Sequence, residues 1–397
     1  MRCHGYLTAV VRRTLPCIRL FKHSALPKVS ATLHRSCGSL LGHGLLLIGE
    51  TDYSCGANVD KSRKLEPHTP FRLPSLINIL YRCGMNTTMN DDLATQRQAM
   101  VERCTEEAKQ LGRTLLFGMT TALTLQSVPL PDDCDLDASV LHTVASAKER
   151  RVRAHAGTLS SHIWQPVAQA RKVRINRHVL ALDVFHTWAQ LASHISFKSL
   201  VILGDAVLTA ASRQAVASWK LDRASAYGDL VQVVEHLPKF SGRKSCIRAL
   251  MLMQPGSDSP KESELRLMLQ AHGIPRMTLN YTVPNVGFAS GAPITVDFAW
   301  PEHKVAIEYD GDHHRTDKAQ WRRDQEKRSK LLGRGWLVFV ATASNLADAD
   351  ARAEFAFRVG RALTSRGAQV DFQLAALPLE QLAPLPRVID WQSLQSA

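Results

Sequence analysis

The chain has 397 residues, of which 45% are apolar and 21% charged. That suits a globular protein of two or three domains and excludes a disordered, collagenous or coiled-coil chain. No stretch reaches the roughly 18 uninterrupted apolar residues of a membrane-spanning helix, so no membrane partner is expected and a cytoplasmic location is. The net charge of +13 is unevenly spread: residues 1–84 hold 12 Lys and Arg against 4 Asp and Glu, whereas residues 256–397 hold 17 of each. The high isoelectric point therefore does not by itself argue for a nucleic-acid partner. Five of the eight Cys lie in the first 83 residues and none follows Cys246, which excludes a thiolate zinc site in the C-terminal part.

Residues 1–84 stand apart. No acid precedes Glu50, while Arg2, Arg12, Arg13, Arg19, Lys22, Lys28 and Arg35 are scattered among apolar residues and Ser. This composition imitates a mitochondrial presequence. The expectation is a disordered segment, or upstream sequence included by a displaced start, with Met85 or Met89 as the natural beginning.

Residues 85–255 read as an α+β region. Residues 91–111 predict a helix stopped at Gly112. Leu115–Phe117 leads into a second helix near Thr120–Gln126. Leu141–Val144 and Val152–His155 predict short strands either side of the charged turn Lys148–Arg151. Val179–Ser193 and Phe197–Ala211 predict apolar helices, each with one buried acid, Asp183 and Asp205, expected to cap or to pair with an Arg. The basic run Arg171–His178 suits an exposed strand edge, with phosphate contact as the functional alternative.

Residues 256–367 are more informative. Ser259-Pro260-Lys261-Glu262 is a helix start: Ser259 caps, Pro260 fits the first turn and Glu262 completes a capping box. Strands are predicted at Leu279–Val283, Ile294–Ala299 and Lys304–Asp310. A charged helix follows over Thr316–Leu332, then a strand at Trp336–Val340 and a helix at Ala347–Thr364. The order α-β-β-β-α-β-α is an α/β module with a mixed sheet, followed by a tail, 368–397.

Alternation along the hairpin places Ile294, Val296 and Phe298 on one face and Asp297 on the other. Val305, Ile307 and Tyr309 likewise oppose Glu308 and Asp310. If the turn centres on Glu302-His303, Asp297 faces Glu308 directly, with Cβ atoms about 4.5–5.5 Å apart. Like charges so placed need a divalent cation or a raised pKa, and oxygen donors suit Mg²⁺ or Mn²⁺.

The string Val296-Asp297-Phe298, Ala306-Ile307-Glu308-Tyr309-Asp310-Gly311-Asp312-His313-His314, Arg323-Asp324 and Leu331-Leu332-Gly333-Arg334-Gly335-Trp336-Leu337-Val338 resembles the Vsr-like branch of the PD-(D/E)XK nuclease superfamily. The resemblance covers roughly residues 258–345. It implies a restriction-endonuclease-like core and Mg²⁺- or Mn²⁺-dependent hydrolysis of DNA, with DNA as partner. It makes Asp297 the principal metal ligand, Glu308 the second and Glu262 a further acid from the preceding helix. Asp310 stands where the superfamily archetype has Lys, and His313 or His314 takes the place of that branch's catalytic histidines. The middle region resembles the AbiEi-like antitoxin half of actinobacterial proteins that end in such a module, although the basic wing strand usual in those proteins is missing. The alternative expectation is therefore an antitoxin-like DNA-binding regulator without turnover.

Overall fold

A computed structural model describes residues 89–153, 157–214, 223–311 and 318–395. The set-apart segment 1–84 lies outside these residues, as do His313 and His314. The described residues all fall within one compact unit, Leu76–Ala397. It is an α/β structure built on two mixed sheets.

Helix α1 (Met89–Gln110) opens the described part and ends at Gly112, whose φ of 62° is the left-handed stop that the sequence signals. The first sheet collects β1 (Leu115–Phe117), β2 (Leu141–Ala145), β3 (Leu159–Ile163), β4 (Lys172–Arg174) and β5 (Val179–Leu182) in the order β3-β2-β1-β5-β4. Between β1 and β2 stands α2 (Met119–Leu125), all of it buried. Four helices follow: α3 (Val184–Leu191), α4 (Phe197–Gln214), α5 (Arg223–His236) and α6 (Arg243–Leu252). Their apolar faces enclose Trp188, Leu200, Val207, Leu230 and Leu250 in one core.

Two expectations for this half are corrected. The strand expected at Val152–His155 is not formed by Val152 and Arg153, which are irregular, and 154–156 lie outside the described residues. The Val152 N–H instead donates to Ser161 Oγ at 3.2 Å, and the strand is β3, paired parallel with β2. The stretch 179–193 is not one helix but β5 followed by α3. Asp183 makes the break: its Oδ1 accepts from the Phe185 and His186 N–H groups at 2.9 and 3.1 Å, which caps α3 as an Asp should. The basic run Arg171–His178 forms the exposed edge strand β4, turned into β5 by Asn176, whose Oδ1 accepts from His178 N and Val179 N.

The second sheet has the order β6-β7-β8-β9. It comprises β6 (Thr278–Gly287), β7 (Pro293–Trp300), β8 (Val305–Tyr309) and β9 (Leu337–Ala341), with α7 (Pro260–Ala271) before it, α8 (Lys318–Gly333) between β8 and β9, and α9 (Ala349–Ser365) after it. This matches the predicted order. Strands β6, β7 and β8 are antiparallel, whereas β8 and β9 are parallel, as a helical crossover requires. Helices α7 and α9 bury Leu265, Leu269, Phe355 and Val359 against Phe298, Val305 and Ile307. Helix α8 covers a separate cluster of Ile294, Val296, Ala306, Leu331 and Trp336.

That division corrects the expected face of β7. Ile294 and Val296 pack in the α8 cluster, while Phe298 packs with α7 and α9. The β7–β8 ladder stops at Phe298–Ile307, and neighbouring β6 carries Asn280 at a left-handed φ of 47°. Pleat alternation does not survive such a break.

The segment 368–395 is not a free tail. Gln373 N donates to His272 O at 3.0 Å and Leu377 N to Ala271 O at 2.8 Å. Short helices α10 (Leu379–Leu382) and α11 (Trp391–Gln395) follow, and Ala383 is fully buried between them. Gly273, at φ 79°, permits this docking: a Cβ there would lie 1.8 Å from the Asp371 carbonyl oxygen.

Candidate functional site

The β7–β8 ladder runs as far as Phe298–Ile307, and the next step along is the one at which hairpin parity expects Asp297 to face Glu308. No backbone pair forms at that step. Instead the Asp297 side chain enters the ladder and its Oδ2 accepts from the Tyr309 N–H at 2.7 Å. Glu308 faces α8, where Lys327 Nζ stands 2.5 Å from its Oε1.

Helix α7 brings the third acid. Ser259 Oγ accepts from Glu262 N at 3.2 Å, the expected cap. The Glu262 carboxylate reaches back to accept from Ser259 Oγ at 2.8 Å and from Asp258 N at 2.9 Å. Asp258 in turn accepts at Oδ2 from Asn280 Nδ2 at 2.9 Å. Glu262 thus serves both as a capping residue and as a neighbour of Asp297.

Electrostatics tie these groups together. Burial pushes the Glu262 carboxyl up to about 7, and the Asp297 charge adds to the shift. Burial also raises Asp297, against the Tyr309 N–H and the Lys327 charge that oppose the shift, with Asp258 adding to it. Glu308 is raised by burial too, with Lys327 opposing and Asp297 and Asp324 adding. Three carboxyls are held above their ordinary range, and among the described residues the opposing cation named for Asp297 and Glu308 is Lys327. This is a deficit of positive charge.

Asp310 is half-buried at the end of β8, where its N–H donates to Ala341 O at 2.8 Å. The cation beside the acids is not at that strand position but on α8. Lys327 was not singled out from the sequence, yet a signal existed: it lies one helical turn before Leu331, which is fully buried. A Lys on the core-facing stripe of an otherwise charged helix needs an acid to meet. The Asp324 charge also bears on Glu308, while Arg323 stacks over Phe288 at 4.4 Å. Helix α8 also holds the β6–β7 turn, since Glu326 Oε1 accepts from Ala289 N at 2.7 Å and Lys330 pairs with Glu326 at 2.8 Å.

Among the described residues, no group of three His, Cys, Asp or Glu is already arranged to hold a metal ion. The donor chemistry nonetheless fits a hard divalent cation: the carboxylates are half-buried oxygen donors whose charge, among the described residues, Lys327 alone does not balance. Beside them, the start of α7 borders a cleft of about 550 Å³ whose walls include Arg97, Arg174, Thr209, Asp258 and Ser259.

Glu262 gives a pH test. Its folded pKa of about 7 lies above its ordinary 4.5, so the folded state binds the extra proton between these values. The stability from the neutral carboxyl is complete below pH 4.5 and is lost as pH rises through about 7, at a cost of about 3 kcal/mol by pH 8. Glu262→Gln keeps a neutral group that can accept from Asp258 N and donate to Ser259 Oγ. It is expected to raise the melting temperature at pH 8 and to change it little at pH 5, in chelator-treated protein. Equal shifts at both pH values would show that Glu262 is not the titrating group.

No protein-family model matches the chain, and no solved structure matches it. Two curated relatives, uncharacterized proteins of Mycobacterium tuberculosis strains CDC 1551 and H37Rv, are each 28% identical over 199 residues. The match covers 50% of this chain and 59% of either relative. The chain therefore spans a little over half the length of the curated relatives it matches.

Proposed function

We propose that residues 256–367 form a restriction-endonuclease-like module that hydrolyses DNA phosphodiesters with Mg²⁺ or Mn²⁺. The observation that carries this reading is the electrostatic coupling of Asp297 to Glu262 and to Glu308, partly buried carboxyls from two strands and a helix, with Lys327 paired to Glu308. The three carboxylates would hold the ion, which when bound supplies a Lewis acid and lowers the pKa of a bound water. The Tyr309 N–H fixes one Asp297 oxygen. The Glu262 carboxyl, held near 7 in the metal-free protein, would give up its proton on holding the ion. Lys327 supplies the positive charge that the archetype takes from the position of Asp310, and it is aimed at the site by Glu308. Exposed Arg322, Arg323 and Arg328 on α8 give the phosphate backbone a cationic flank.

The same Lys327–Glu308 pair supports a second reading, an antitoxin-like DNA-binding regulator. An ammonium group resting on Glu308 already neutralises part of the acid set, so the fold can persist without a metal or turnover. Incubating chelator-treated protein with plasmid, nicked and mismatched DNA, with and without Mg²⁺ or Mn²⁺, separates the two. Metal-dependent cleavage is the expected result. Binding of DNA without cleavage in either metal overturns the nuclease reading.

A further inference from the structure

Away from the carboxylates, three imidazoles from separate parts of the chain gather beside the first sheet. His142 on β2 and His162 on β3 meet with Nδ1 and Nε2 only 2.9 Å apart. His194, in the turn after α3, lies with its ring centroid 6.4 Å from that of His162. Two of the other ring nitrogens are tied down. His142 Nε2 is 3.0 Å from the Asp137 carbonyl oxygen, which only accepts, so Nε2 carries the proton and Nδ1 the lone pair. His194 Nδ1 is 2.8 Å from Asp135 Oδ1, which leaves Nε2 as its lone-pair nitrogen.

We propose that His142, His162 and His194 form a binding site for one borderline divalent transition ion of the Zn²⁺ class, separate from the carboxylate site.

The geometry supports this in three ways. First, ligating histidines give their second N–H to a carbonyl or carboxylate, and Asp137 O and Asp135 already occupy those outer positions. Second, two nitrogens bound to tetrahedral zinc at about 2.0–2.1 Å stand about 3.3 Å apart, so an ion replaces the His142–His162 hydrogen bond with a small separation of the rings. Third, burial favours the neutral imidazole at both His142 and His162, the form that ligates, while Asp135 and Asp137 supply negative charge alongside. The ligand set is not closed in the free protein. His194, with 25% of its side chain exposed, is the member with room to swing in, and His162 shifts its proton to Nδ1. Three histidines and a water complete a tetrahedral shell. Imidazole donors select Zn²⁺, Co²⁺, Ni²⁺ or Cu²⁺ over Mg²⁺.

The test uses the full chain after chelator treatment, titrated with Co²⁺ and followed by visible absorption. The expected result is a d–d spectrum of tetrahedral intensity at one equivalent, displaced by Zn²⁺ and unaffected by a hundredfold excess of Mg²⁺. His194→Ala is expected to weaken Co²⁺ at least tenfold, and Asp135→Asn about 10–100-fold. Asp135 is exposed and His194 partly so, and these changes carry the test even if His142→Ala or His162→Ala fails to fold. No tetrahedral spectrum, or an unchanged spectrum and affinity in His194→Ala, overturns the site. Neither outcome depends on DNA cleavage, and Asp297→Asn leaves the Co²⁺ spectrum as in the wild type.

Discussion

Asp205→Ala is expected to destabilise the fold by about 3–5 kcal/mol, because it leaves a buried guanidinium without its counter-charge. Asp205 on α4 and Arg266 on α7 are both fully buried, and Arg266 Nη2 stands 2.7 Å from Asp205 Oδ2. The carboxylate also accepts from Ser263 Oγ at 2.7 Å and from Gln254 N at 2.9 Å, so its loss orphans Arg266 Nη2 and Gln254 N and leaves Ser263 Oγ to Ser257 Oγ at 2.9 Å. Arg266 Nη1 keeps only the Leu252 carbonyl at 2.8 Å and Gln270 at 3.2 Å. Chemical denaturation reads the loss as a lower midpoint at unchanged slope. The joint change Asp205→Leu with Arg266→Met is expected to recover much of it, since an apolar pair of similar volume replaces a desolvated ion pair at little cost. A loss below about 1 kcal/mol in the single variant would mean that water reaches Arg266, contrary to its burial.

This pair also shows where sequence reading stops. Asp205 stood out as an acid inside an apolar helix and called for a cap or an arginine. The partner lies 61 residues away on α7, across the boundary that composition suggests near residue 255. Caps and stops are local, so the start of α7 at Ser259 and the stop at Gly335 were readable. The β5–α3 break was not, because Val179–Leu182 is apolar at every position and gives no period. Asp183 was the clue, as an N-cap in front of a helix that the apolar run had seemed to begin earlier. Strand β3 was missed for the opposite reason: Ser160, Ser161 and His162 put polar residues on both faces, and only pairing with β2 makes them a strand.

At the candidate site the acids were legible and their setting was not. A hairpin fixes which carboxylates meet, but not that the ladder breaks at Asp297 or that Lys327 arrives from α8. The sequence placed the proton-transfer group just beyond Gly311, at His313 and His314, which lie outside the described residues. The described residues add Lys327 beside the acids, and the cleavage experiments distinguish its role from that of the histidines.

Lys327→Met is expected to lower metal-dependent DNA cleavage by about 10²–10³-fold while preserving metal binding, the size of effect that follows loss of one charged group aimed at a developing charge. Met retains the length of the side chain against α8 and removes only the ammonium. Glu308 then loses the cation 2.5 Å from its Oε1, so a bound divalent ion becomes its sole counter-charge. The rise in melting temperature on adding Mg²⁺ or Mn²⁺ should therefore be at least as large as in the wild type, by linkage to the native state. Asp297→Asn is expected to behave oppositely: it removes the ligand, and both the metal-induced rise and cleavage disappear. The double change His313→Ala, His314→Ala separates the remaining role, since a histidine acting as general acid or base costs about 10²–10⁴-fold in cleavage with metal binding intact. Wild-type cleavage in Lys327→Met would assign its ammonium to holding Glu308 alone, and wild-type cleavage in the histidine pair would rule out a histidine general acid or base. If the wild type binds metal and DNA yet cuts none of the plasmid, nicked or mismatched substrates, the lysine resting on Glu308 is a permanent counter-ion, and the module is a binding domain built on a nuclease-like sheet.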